Sequence, residues 1–169
     1  MFILCSSKYA VMSNLRCGHL NMHHYFGITP YAGGGTGFTI QDWQEHHNPI
    51  VVLRNPLERL LSAKAESDRW IRNIPVFIEH SRPYMHLLSC DFRIIDFYDL
   101  EQYIPRKDDA AQSLRSDSRV DSGTTAQDVY VENTGYTLLE LQQEFDTYKE
   151  LMATRERVSV EEWKGLTHG

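Results

Sequence analysis

The chain has no apolar run near the roughly 20 residues needed to cross a bilayer, and the apolar stretch after Met1 is too short for a signal h-region. A soluble cytoplasmic protein with no membrane partner is therefore expected. Basic residues are in deficit, 17 Lys and Arg against 23 Asp and Glu, giving a net charge of −6. General nucleic-acid binding needs a dominant basic surface, so no nucleic-acid partner is expected and an anionic ligand would need a local basic pocket. The three cysteines, Cys5, Cys17 and Cys90, show neither CxxC nor Cys/His spacing, which points to reduced thiols. His19 and His23 are four apart on a predicted helix, but no third metal ligand accompanies them. The pattern G-x-x-x-x-G-K-[ST] is missing around Lys8, where Tyr9 follows the lysine, and this counts against an ATP or GTP hydrolase.

What is present suits one compact α/β domain over residues 1–169, with enough apolar and aromatic residues for a core. Phe2 to Cys5 reads as a strand, Ser6-Ser7-Lys8 as a loop, and Ser13 to Phe26 as a helix with Met12, Leu15, Met22 and Phe26 on one stripe. Gly27 to Gly37 reads as a mobile loop. Ile50 to Leu53 is a fully apolar strand of the kind covered on both faces in a parallel sheet. The helix after it has Asn55 as cap, Pro56 at its first position and Glu58 closing a capping box, with Leu57, Leu60 and Leu61 buried. Phe92 to Tyr98 is a further strand, after which Asp99 caps a short helix. Lys107 to Thr125 is a polar loop, Thr137 to Glu140 opens an amphipathic helix, and a last helix carries Trp163.

Two strand ends carry chemistry. The loop holding Lys8 leads to a helix opening near Ser13 and Asn14, and unpaired N–H groups at a helix N-terminus favour phosphate or sulfate. The second is Leu53-Arg54-Asn55-Pro56-Leu57-Glu58-Arg59-Leu60-Leu61-Ser62-Ala63-Lys64, directly after the buried strand. An arginine fixed there gives two charge-assisted bonds to a phosphate, and Arg59 and Ser62 share a helix face. The plainer alternative is that Arg54 and Arg59 pair with carboxylates.

This second segment closely resembles the R-D-P-x-x-R-x-x-S-A motif of PAPS-dependent sulfotransferases. Glu79-His80-Ser81-Arg82-Pro83-Tyr84, with the later strand and Asp99-Leu100-Glu101, is similar to segments of the membrane-type carbohydrate sulfotransferases. The resemblance implies a three-layer P-loop-like fold with a central parallel sheet flanked by helices, and transfer of a sulfuryl group from PAPS to a small-molecule or glycan acceptor. It implies that Lys8, Tyr9, Ala10, Ser13 and Asn14 hold the 5′-phosphosulfate, and that Arg54 and Ser62 hold the 3′-phosphate of PAPS or of its product, adenosine 3′,5′-bisphosphate. Lys8 would also steady the leaving phosphate, with His80, then His46 and Glu45, as the base. Competing readings are a silent nucleotide- or glycan-binding module and a degenerate P-loop kinase.

Overall fold

The computed structural model describes residues 1–14, 16–28, 36–66, 81–105, 119–132 and 134–168. The chain reverses almost at once. Strand β1 (Phe2–Cys5) is followed by a tight turn and by β2 (Ala10–Ser13), which runs back antiparallel with Cys5 opposite Ala10 and Phe2 opposite Ser13. In the turn the Ser6 N–H donates to the Tyr9 carbonyl (2.8 Å), and the Ser6 hydroxyl oxygen accepts from the N–H groups of Lys8 and Tyr9 (3.2 Å each). The strand, loop and helix expected over residues 2–26 are thus a hairpin followed by a short helix, α1 (His19–Tyr25). The physical reason is that Val11 and Met12 are both fully buried, one on each face of the sheet.

β3 (Pro49–Leu53) pairs parallel with β2, and β4 (Arg93–Asp96) pairs parallel with β3. The result is an α/β arrangement with a four-stranded, mostly parallel sheet in the order β1-β2-β3-β4. The strands over Phe2 to Cys5 and Ile50 to Leu53 are expected from the sequence to be central and adjacent or nearly so; one strand, β2, lies between them, and β1 is at the edge with reversed direction. Every residue of β3 is buried, as expected for a parallel strand covered on both faces.

The chain forms two compact units, Met1–Leu53 with Leu87–Lys107 and Met152–Gly169, and Arg54–His86 with Asp108–Leu151. In the first, Phe2, Val11, Ile50, Val52 and Ile95 share one sheet face. They pack with Met22 of α1, Leu100 of α4 (Leu100–Tyr103) and Trp163 of α7 (Val160–His168). On the other face α2 (Ile40–Glu45) lies against β1, β2 and β3, with the Trp43 Nε1–H donating to the Ile50 carbonyl (2.8 Å). Asp99 precedes α4 as expected but makes no side-chain cap bond. Asp96 instead accepts from the Tyr98 N–H (3.0 Å).

The second unit gathers Leu57, Leu60 and Ala63 of α3 (Pro56–Glu66), Ala126 of α5 (Ala126–Val129), Tyr136, and Leu141 of α6 (Leu138–Thr154). Asn55 Oδ1 accepts from the Leu57 N–H (2.9 Å), so the expected cap and first-position proline are present. Glu58 Oε1 turns elsewhere and accepts from the Val120 N–H (2.8 Å). The Thr137–Glu140 capping box is formed in both directions. The loops read at Gly27 to Gly37 and Lys107 to Thr125 fall mostly outside the described residues. No helix among those described is long and apolar enough to cross a membrane.

Gly18 stands just before α1 with φ +84°, and a Cβ there would lie 2.5 Å from Leu100 Cδ2 in the buried core. Gly18→Ala is expected to lower stability by at least about 1–2 kcal/mol from the left-handed backbone alone. Gly165 on α7, with open space around its Cα, should instead gain about 0.5–1 kcal/mol as alanine. Urea denaturation of the two variants checks both signs.

Candidate functional site

The residues expected to form the 5′-phosphosulfate loop are dispersed. Lys8 is exposed in the β1–β2 turn, where its carbonyl accepts from Asn48 Nδ2 (2.9 Å). Tyr9 is buried with its ring near Phe26 and Trp163, and Ala10 opens β2 opposite Pro49. Asn48 comes just before β3 begins, and Arg54 comes just after β3 ends. The whole strand, about 16 Å at 3.3 Å per residue, separates the Lys8 turn from the point where the chain reaches Arg54. The Lys8 turn thus lies at the end of the sheet where β3 begins.

Two of the expected bases lie at the Lys8 end. Glu45 is exposed at the end of α2 and its Oε1 accepts from Gln41 Nε2 (2.7 Å). His46 Nδ1 accepts from the Asn48 N–H (3.0 Å), which leaves its proton on Nε2 to donate to the Ser6 carbonyl (2.8 Å). With both ring nitrogens bonded to backbone, His46 fastens the hairpin turn to the start of β3. The first expected base, His80, lies outside the described residues.

A different loop leaves the other end of β2. Ser13 and Asn14 are buried there; the Ser13 hydroxyl donates to the Cys17 carbonyl (2.7 Å) and the Cys17 N–H to the Asn14 carbonyl (3.0 Å). These bonds close a tight loop in which half-buried Arg16 adopts φ +63°, a conformation costly for a residue with a side chain. Neither Ser13 nor Asn14 opens a helix, because Gly18 intervenes before His19. Since β2 and β3 are parallel neighbours, the chain leaves both at the same end of the sheet, the end at which open α/β sheets bind ligands. Arg16 was not singled out from the sequence. The signal was available: two short apolar runs four residues apart have hairpin spacing, and reading them so moves the strand-end loop from Lys8 to Arg16.

Asp96 closes β4 level with Leu53. Its carboxyl is pushed up to about 6, first by burial and then by the charge of Asp99, with Arg157 opposing.

In the second unit Arg54 and Ser62 are both buried, at 2% and 1% exposure. Arg59 is equally buried, and its role is structural. Its Nη1 donates to the Arg82 carbonyl (2.9 Å) and to the Tyr136 hydroxyl (3.0 Å), and its guanidinium stands 5.0 Å from the centre of the Tyr84 ring. Tyr136 in turn donates to Glu144 Oε2, while Glu144 Oε1 accepts from the N–H groups of Tyr84 and Met85 (2.7 Å each). Burial pushes the Glu144 carboxyl up, against the pull of those N–H groups and of Arg59. The Ser81-Arg82-Pro83-Tyr84 part of the expected histidine segment thus serves to seal Arg59.

No family model matches the chain, and neither a curated protein nor a solved structure matches it.

Because the Asp96 carboxyl is raised in the folded state, its contribution to stability is full below the ordinary value of 3.8 and is lost as pH rises through about 6. Asp96→Asn retains an acceptor for the Tyr98 N–H and removes the ionisation. Relative to the parent, its melting temperature should climb between pH 4 and 6 and hold a constant excess above that window. A difference that does not change with pH would refute the assignment.

Proposed function

We propose that the chain is a PAPS-dependent sulfotransferase with a P-loop-like α/β core, anchored on the 3′-phosphate by Arg54 and Ser62. The single observation that carries this reading is the setting of the Arg54 to Lys64 motif. It begins where a wholly buried parallel strand ends, α3 opens at Pro56 under an Asn55 cap, and both presumed phosphate ligands are buried. A buried guanidinium and hydroxyl fit a phosphate oxygen set, since charge-assisted bonds are strongest where water is excluded.

PAPS supplies the sulfuryl group. The acceptor, a hydroxyl or amine of a small molecule or glycan, forms the new bond to sulfur as the bond to the bridging phosphate oxygen breaks. Arg54 with Ser62 fixes the nucleotide, so that the charge gathering on the leaving phosphate falls at a defined place. His80 takes the acceptor proton. One observation favours the silent nucleotide-binding module as a second reading: Lys8 lies in the β1–β2 turn, and His46 is hydrogen-bonded to the Ser6 carbonyl and the Asn48 N–H.

Calorimetry tests the anchor. Arg54→Ala should weaken adenosine 3′,5′-bisphosphate by about 2–4 kcal/mol and leave AMP nearly unchanged. Equal loss of every nucleotide in Arg54→Ala, with an unchanged melt, would sink the 3′-phosphate assignment. If the bisphosphate binds but no panel of glycans, phenols and amines accepts sulfate from PAPS, the silent module is the correct account.

A further inference from the structure

A cavity of about 340 Å³ opens in the second unit between the Pro83–His86 segment and α6. Its size falls in the range of about 300–1,000 Å³ typical of small-molecule sites. The α6 wall is a stripe of Glu140, Gln143, Glu144 and Thr147, whose spacing of three, four and seven residues sets them on one helix face. Leu141 and Phe145, on another face of the same helix, join the apolar core. Polar stripes ordinarily face solvent. Here Glu140 and Gln143 are exposed and Thr147 is half-buried, but Glu144 is only 6% exposed, and the stripe shares its cavity with Pro83 and Met85.

Both carboxylates are fixed before any ligand arrives. Glu144 is held by Tyr84, Met85 and Tyr136, which use three of its roughly four acceptor positions. Glu140 is held at Oε2 by the Thr137 N–H (2.9 Å). The lining includes a single basic side chain, His86, among the described residues. A preset pair of negative charges beside a small apolar wall suits a cation with a short hydrocarbon stem, and groups already immobilised lose little freedom on binding.

We propose that this cavity is a binding site for a small organic cation, a primary ammonium on a short aliphatic chain. The ammonium lies against Glu140 and the remaining acceptor position of Glu144, with Gln143 and Thr147 as neutral partners, while the stem rests on Met85 and Pro83. The inference does not depend on the role of Arg54 and Ser62.

The test is an NMR titration of the full chain with n-butylammonium chloride, following the Met85 and Thr147 methyl signals, beside butan-1-ol as the uncharged isostere. Saturable shifts with a Kd of a few mM, on the order expected for so small a ligand, and at least about fivefold weaker binding of butan-1-ol support the site. Glu140→Gln keeps an acceptor for the Thr137 N–H and removes one charge, and should weaken the ammonium about fivefold. Glu144→Gln should act in the same direction, and if its melt shows it unfolded, Glu140→Gln alone decides. No saturation up to about 50 mM, equal affinity for the alcohol, or full affinity in Glu140→Gln would each overturn the proposal.

Discussion

The reversal of the chain at Ser6 to Tyr9 decides which side chains share an end of the sheet. It is held from inside by the Ser6 hydroxyl and from outside by His46 and Asn48, which bind the Ser6 and Lys8 carbonyls. Asn48 also accepts from Arg93 Nη2 (2.9 Å), and the other arm of Arg93 pairs with Glu162 at 2.6 Å. One turn is thereby tied to β3, β4 and α7. With it fixed, β2 must run parallel to β3, and the loop after β2, not the turn before it, emerges where β3 and β4 also end.

The second unit depends on a different device. Arg59 and Glu144 are both withdrawn from water, a cost that attraction alone repays poorly unless the remaining donors and acceptors are filled. Here a tyrosine hydroxyl stands between the two ions and backbone groups of the 82–85 segment take up other positions. The segment has no regular ladder to direct it, so these bonds give it a shape. They join α3, which carries Ser62, to α6, which carries the polar stripe.

How much of this was legible in the sequence differs by element. The β3–α3 junction was, because its signals are local: an apolar run, a capping asparagine, a proline at the first helical position and leucines at helical spacing. The Thr137 box was legible for the same reason. β2 was not, since Met12 falls in helical register with Met22 and Phe26 and a short apolar run does not declare its partner. The end of the sheet at which Lys8 sits follows from strand direction, which is a property of pairing with β3 far along the chain. Arg59 could be seen as either ligand or ion-pair partner, and its true partners on the 82–85 segment and α6 are remote in sequence. The burial of Arg54 and Ser62 after β3 was therefore readable, and the loop of Arg16 after β2 was not.

The sheet does not end openly at β4. The Ile94 N–H donates to the Glu156 carbonyl (2.9 Å) and the Val158 N–H to the Ile94 carbonyl (3.0 Å), so that Arg157 pairs beside Ile94 as a single parallel bridge. At the other border the Thr36 hydroxyl donates to the Ile3 carbonyl of β1. A bare strand border is a template on which a second molecule can build, and short apolar strands such as these are prone to it. The sheet thus carries its own protection against aggregation on β4, in residues that sit just before α7. Any process that peels this last segment away would convert the outer strand into a surface for intermolecular growth.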